Sequence, residues 1–148
     1  MLTTETPVIS VMTVNPITVG PEISLDKVQE LLDLHQVRHI LVVNEEKSLI
    51  GIVSQTDLTM LGMIENGPTV TNLESSSLSV SDVMTSELVS LEPDDSISRA
   101  ADLFLTKEVH ALPVLDDGEL IGIVTSHDLL RSIFEDVLPL SFTKWAKK

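Results

Sequence analysis

The sequence predicts an α+β fold: two βαββα units packed sheet to sheet about a pseudo-twofold axis. Three observations predict it. The heptapeptide Gly51-Ile52-Val53-Ser54-Gln55-Thr56-Asp57 recurs as Gly122-Ile123-Val124-Thr125-Ser126-His127-Asp128. Matched residues keep a fixed offset: Met84-Thr85, Pro93, Ser96, Leu103 and Val109 stand 72 positions after Met12-Thr13, Pro21, Ser24, Leu31 and Val37. The offset falls to 71 beyond the polar turn, so the one-residue deletion sits where a loop tolerates it. A register held this closely marks two copies of one supersecondary unit. The strands are too apolar to leave a face in water, and packing the two sheets together is the economical solution.

The elements follow in order. Pro7 disfavours helix before it, so residues 1–10 read as an extended lead-in. Ile17-Thr18-Val19 is a short β-type run, closed by the turn Gly20-Pro21. Ser24 is a candidate N-cap, with Asp26 in the first turn where the helix dipole favours a negative charge. Leu25, Val28, Leu31 and Leu32 form an apolar helical face that runs to about Gln36. Ile40–Val43 is a buried strand, 44–48 a polar hairpin turn and Leu49–Val53 its partner. A second helix begins near Gln55 and runs through Leu61. The stretch 62–79 carries loop signals, Asn66-Gly67-Pro68 and Ser75-Ser76-Ser77, and reads as a connector with room for a short irregular helix. The second copy repeats the scheme, with Asp116-Asp117-Gly118 as its turn. The expected organisation is a first repeat with its lead-in over 1–64, a linker over 65–79, a second repeat over 80–138 and a tail over 139–148. Phe142 and Trp145 give the tail an apolar pair for the body or another subunit.

Composition narrows the function. A chain of 148 residues with 43% apolar content buries an ordinary core without staples. It has no cysteine, which excludes disulfides and thiolate chemistry and fits a reducing cytoplasm. The N-terminus lacks a basic, apolar signal sequence, and no apolar run approaches the roughly 18 residues of a membrane helix. The formal net charge of −14 repels nucleic-acid backbones and anionic lipid, so neither is expected as a partner.

Ser54-x-x-Asp57 and Thr125-x-x-Asp128 are capping boxes by pattern: the hydroxyl satisfies free N–H groups and the acid suits the positive helix end. They also occur at the same place in both repeats. A hydroxyl and a carboxylate at a helix N-terminus make a ribose site as well, since a carboxylate accepts from vicinal hydroxyls and the helix end attracts phosphate. Capping and binding can coexist. Arg38 and His39 precede one inner strand, His110 precedes its equivalent, and His127 adjoins Asp128. Taken singly, each histidine reads as a solvated or core-edge ring; their matched placement suggests a phosphate locus, strongest below a pKa of roughly 6.5. His35 reads as helix surface.

Enzyme signatures are poor. There is no Gly-rich phosphate loop with lysine, no H-E-x-x-H and no nucleophile elbow, so no catalytic or metal-binding residue is expected. Met12, Met60, Met63 and Met84 read as core filler, and Glu92, Asp94 and Asp95 as a solvated helix entry. A small hydrolase or transferase is disfavoured. A ligand sensor and a structural or interaction module with vestigial clefts both remain.

The Met-Thr openings, the strands Arg38–Asn44 and His110–Asp116, and the doubled G-I-V-[ST]-x-x-D resemble a tandem pair of cystathionine-β-synthase (CBS) domains over about residues 8–131. The resemblance implies a Bateman module with two related clefts that bind adenosine compounds: AMP, ADP, ATP, S-adenosylmethionine or NAD. It implies one site from Ser54, Thr56 and Asp57 with the segment from Ser90 to Asp95 and Val109, His110 and Ala111. The other joins Thr125, His127 and Asp128 to the segment from Thr18 to Ile23 and to Val37, Arg38 and His39. Asp57 and Asp128 would hold ribose hydroxyls, and Ser54 and Thr125 ribose or phosphate. The surroundings of Val37 and Val109 would take adenine, and Arg38, His39 and His110 phosphates. Leu41 stands where the family has proline, which Pro113 keeps, and Pro16 has no match at Leu88. A homodimer and an unidentified effector protein are further implied.

Overall fold

A computed structural model describes residues 2–65 and 78–137. In chain order these form a 3-10 turn (Val8–Ser10), β1 (Thr13–Val14), β2 (Thr18–Val19), α1 (Leu25–His35), β3 (His39–Val43), β4 (Leu49–Ser54), α2 (Gln55–Glu65), α3 (Val80–Val83), α4 (Ile97–Lys107), β5 (Ala111–Asp116), β6 (Glu119–Thr125) and α5 (Ser126–Val137). The α+β class and the repeated strand–helix–hairpin–helix order are as expected. Most of the expected linker, residues 66–77, and the tail beyond Val137 lie outside the described residues.

The compact units do not follow the expected boundaries at 64 and 80. One unit is Pro16–Leu88; the other joins the segment through Asn15 to the chain from Val89 onward. Each Met-Thr opening therefore closes on the hairpin of the other repeat.

In the 16–88 unit, β2 runs parallel to β3, which pairs antiparallel with β4. Thr85 extends the β4 edge, exchanging two backbone hydrogen bonds with Ile52 at 2.9 and 3.0 Å. The Ser24 hydroxyl accepts the Lys27 N–H at 3.2 Å and starts α1; Gln36, in the left-handed region at φ 54°, stops it. Leu25, Val28 and Leu32 face a core shared with Val19, Ile40, Val42, Val53, Leu58 and Val80. The hairpin turn is held by Asn44, whose Oδ1 accepts from the Glu46 and Ser48 N–H groups, both at 3.0 Å.

The other unit has the order β1-β6-β5, with Leu91 bridging Val114 in parallel beyond β5. Its core gathers Val8, Leu91, Ile97, Ala100, Leu103, Leu112, Val114, Val124 and Leu129. The lead-in is not simply extended. Its 3-10 turn buries Val8 completely and sends the Val8 N–H to the Asp95 carbonyl at 2.8 Å. Burying such a side chain is worth about 1.5–3 kcal/mol, one contribution to holding the segment on the unit. The β5–β6 turn uses Asp117 and Gly118, at φ 51° and 83°, the two-residue loop whose twist suits a hairpin. Between the equivalent pairs Val43–Leu49 and Leu115–Leu120 the second hairpin encloses four residues against five, which accounts for the change of offset.

Val8 and Val80 are equivalent, fully buried, and each accepts at its carbonyl the N–H of the methionine that follows, at 2.9 Å. Met12 then lies on Gly122 and Met84 on Gly51. A Cβ at Gly122 would stand 2.9 Å from the Thr13 carbonyl oxygen and 3.1 Å from Met12 Cγ; one at Gly51 would meet Met84 Cγ at 2.8 Å. The repeated glycine is thus a docking requirement. Met60 differs from the expectation of core filler: at 59% exposure it sits on the surface of α2. Gly122→Ala and Gly51→Ala should each lose about 1–3 kcal/mol of unfolding free energy in urea titrations, the usual range for overpacking. Gly20→Ala, where nothing lies within 4 Å, should change it by less than about 0.5 kcal/mol.

Candidate functional site

In each hairpin the end opposite the turn feeds directly into a helix, and there the repeated motif makes the same four-atom arrangement twice. Asp57 Oδ2 accepts the Ser54 N–H at 2.9 Å, and Ser54 Oγ accepts the Asp57 N–H at 3.1 Å. Asp128 Oδ2 accepts the Thr125 N–H at 3.1 Å, and Thr125 Oγ1 accepts the Asp128 N–H at 3.0 Å. These are reciprocal capping boxes, which satisfy two backbone donors that the helix itself leaves open. Among the described residues, Oδ1 of neither carboxylate accepts a hydrogen bond. Ser54, Thr125 and Asp128 are half-buried and Asp57 is exposed, so each box has one carboxylate oxygen to offer at a positive helix end.

The start of the inner strand lies beside each box within its own unit. His39 pairs with Ser54 across β3–β4, and Ala111 with Thr125 across β5–β6. The first N–H of α2, at Gln55, donates to the Arg38 carbonyl at 2.7 Å; that of α5, at Ser126, donates to the His110 carbonyl at 2.9 Å. Each unit therefore gathers a hydroxyl, a carboxylate and one or two basic side chains at one hairpin end. Arg38 and His110 are exposed, His39 is half-buried, and Thr56 and His127 are exposed in the first helical turns.

The remaining expected residues divide by unit. Thr18 is exposed on β2, opposite Leu41; Ile23 and Val37 are partly buried against the core of the 16–88 unit. Val109 packs on the core of the other unit, Ala111 is buried and Ser90 is half-buried. Asp95 is engaged in its own turn, with Oδ2 accepting the Glu92 N–H at 2.7 Å. That bond closes the turn and makes the Glu92–Asp95 stretch an ordered entry to α4.

Four features escaped the sequence. Ser79-x-x-Asp82 forms a third capping box, at α3. The same pattern searched through the whole chain finds it, together with Ser132-x-x-Glu135 inside α5, so the pattern marks a cap only where a helix starts. Arg131 donates to His127 Nε2 at 2.9 Å, one turn apart on α5, a spacing visible in sequence. Gln29 and Gln55 exchange amide hydrogen bonds at 2.9 and 3.0 Å, tying α1 to α2. Their repeat equivalents are Ala101 and Ser126, so periodicity gave no hint of the pair. Met12 and Met84 on the two glycines are the fourth. No cluster of three or more metal-binding side chains occurs among the described residues, and none of their helices is long and apolar enough to cross a membrane.

The profile of the CBS domain matches residues 8–62 and 80–135. The chain belongs to the CBS domain family. Among solved CBS structures, CBSX2 in complex with AMP is 32% identical with a TM-score of 0.73, covering 88% of this chain and 97% of that one. The CBS domain pair of protein MJ0100, in complex with 5′-methylthioadenosine and S-adenosyl-L-methionine, is 25% identical with a TM-score of 0.74, covering 86% and 99%. A homoserine O-acetyltransferase of Methanohalobium evestigatum is 31% identical over 119 residues, 80% of this chain and 22% of that enzyme. The chain thus spans about a fifth of the length of that curated relative.

The box geometry separates capping from any other role of the two aspartates. Asp57→Ala and Asp128→Ala should each cost about 0.5–2 kcal/mol of unfolding free energy, the loss of one capping partner. Asp57→Asn and Asp128→Asn keep an acceptor oxygen and should recover most of it. Denaturant titration of the four variants checks both statements.

Proposed function

We propose that the chain is a non-catalytic regulatory module that binds an adenosine-containing ligand. The observation that carries the reading is the capping box made identically in both repeats, with Oδ1 of Asp57 and of Asp128 accepting no hydrogen bond among the described residues. A carboxylate so placed accepts from the vicinal hydroxyls of a ribose, which a cap alone does not require. Ser54 and Thr125 contact ribose or phosphate, Arg38, His39 and His110 meet phosphates, and Val37 and Val109 flank the adenine. Thr18, Ile23, Thr56, Ser90, Asp95, Ala111 and His127 complete the two sites. AMP in CBSX2, and 5′-methylthioadenosine with S-adenosyl-L-methionine in MJ0100, support this ligand class.

The crosswise assignment belongs to the same proposal: Asp128 works with Arg38 and His39, and Asp57 with His110. A double-mutant cycle on AMP affinity decides it. Coupling between Arg38→Ala and Asp128→Ala supports the assignment; coupling confined to Arg38→Ala with Asp57→Ala overturns it.

A homodimer and a separate effector protein are also part of the reading. Leu34, Met60, Leu105, Leu130 and Ile133 leave large apolar side chains exposed on four helices. Sedimentation at micromolar concentration should give a dimer that Leu105→Asp weakens; a monomer would sink this part.

A second reading, a structural module, has one observation in its favour: each box satisfies the backbone donors of its own helix start. Thermal melting discriminates the two. AMP, ADP, ATP, S-adenosylmethionine, methylthioadenosine and NAD are each added at high concentration. A true ligand at about 100 times its Kd adds about 2.7 kcal/mol. Asp57→Asn and Asp128→Asn should each abolish one of two calorimetric binding events while leaving the unliganded melt near that of the wild type. A flat response to every compound favours the structural module.

A further inference from the structure

Met12 and Met84 do the same work in the two units. Each follows a buried valine by one turn, lays its side chain over the motif glycine of a hairpin, and leads into a residue that extends the sheet edge: Thr13 opposite Ile123, and Thr85 opposite Ile52. On the glycine side the contact is closed. A single carbon added at Gly122 would already lie 2.5 Å from Met12 Sδ, and one at Gly51 would meet the Met84 sulfur and Cγ. Yet both residues are only partly buried, so neither is enclosed in a core. The chain has no cysteine, so methionine is its sole sulfur. A thioether seated this tightly on backbone has no slack for a polar oxygen.

We propose that Met12 and Met84 are paired oxidation sites, where conversion of the thioether to the sulfoxide by a hydroperoxide releases the sheet edge each one pins. Sulfur attacks the distal peroxide oxygen. The O–O bond breaks, the S–O bond forms, and the proton of the distal oxygen passes to the leaving one. Sulfur is oxidised by two electrons and hydrogen peroxide is reduced to water. The sulfoxide is polar and larger than the thioether, so it leaves the glycine, and β1 and the Thr85 bridge lose their anchor. The released segments adjoin the crossovers between units, at Asn15–Pro16 and Leu88–Val89. The consequence is reversible, because sulfoxide reductases restore the thioether. The proposal stands on the fold and does not depend on the ligand reading.

The test treats the whole chain with hydrogen peroxide, follows each methionine by peptide mass spectrometry and measures amide exchange. Sulfoxide at Met12 and Met84 should speed exchange at Ile52 and Thr85 and around Thr13 at least about tenfold, as expected of a local opening. Amides that bond between the two strands of the β3–β4 and β5–β6 hairpins should not change, and sulfoxide reductases of both epimer specificities should reverse the effect. Met12→Leu with Met84→Leu should abolish the response while exposed Met60 still oxidises. The idea fails if both sites are fully oxidised with edge exchange unchanged, if the leucine variant opens equally, or if neither site oxidises under conditions that convert Met60. Should the leucine variant not fold, reductase reversal in the wild-type chain decides alone.

Discussion

Each sheet has room for its last strand only because one residue lacks a side chain. Gly51 and Gly122 sit in the middle of β4 and β6, buried, where a glycine normally weakens a strand. The loss is offset by what approaches. The Met84 and Met12 side chains come within a distance that any Cβ would forbid, and they bring Thr85 and Thr13 into pairing range. The exchange of lead-in segments between repeats follows from this contact. Unit 16–88 is closed by residues that precede the second repeat, and its counterpart by residues that precede the first.

The second constraint is at the strand-to-helix step. Leaving a sheet for a helix strands backbone donors, and both repeats solve this with a hydroxyl three residues ahead of an acid. The solution fixes a carboxylate in orientation while using one oxygen of two. A side chain immobilised for one purpose binds at lower entropic cost for another, since its rotamer is already chosen. In the proposed reading, capping and ligand binding are cooperative roles for Asp57 and Asp128, because the bonds that start the helix also pre-set either carboxylate for a diol. The wider field works the other way. A net charge of −14 opposes polyphosphates at distances within about 8 Å at physiological salt, so a nucleotide with few phosphates meets the least resistance.

The sequence showed the repeat, the hairpins and the caps because each is local. Hydroxyl and acid three apart, a polar turn between apolar runs and Ser24 before Leu25 are read within one turn or one loop. It did not show which hairpin Met12-Thr13 closes on. The 72-residue offset is identical whether a lead-in packs on its own repeat or on the other, so periodicity carries no information on the choice. Nor did it show Gln29 with Gln55, since 26 residues separate them and the second repeat has no copy. Met60 was misjudged for a simpler reason: a methionine suits core and surface of a helix alike, and only packing decides. In the candidate site, Ser54, Asp57, Thr125 and Asp128 were legible as boxes. The neighbouring Arg38 and His110 were legible as basic residues, but not as the carbonyls that receive the first helix N–H.

The two units are alike in backbone and unequal in what ties their helices down. In unit 16–88 the Gln29–Gln55 amide pair links α1 to the first residue of α2, and the same amides reach Asp33 and Thr59. These bonds are partly buried, and removing one partner strands the other amide at a cost of about 1–3 kcal/mol. At the matched place the other unit has Ala101 and Ser126, which carry no such link, and its α5 instead spends Arg131 on His127 within the helix. The helix that presents Asp57 is thus tied to α1 by an amide pair, and the helix that presents Asp128 has no counterpart of that pair at the matched positions Ala101 and Ser126. Local opening draws on the least-tied elements first. Two equivalent caps would leave their ends alike; the amide pair gives the Asp57 end a tie that the repeat pattern does not copy.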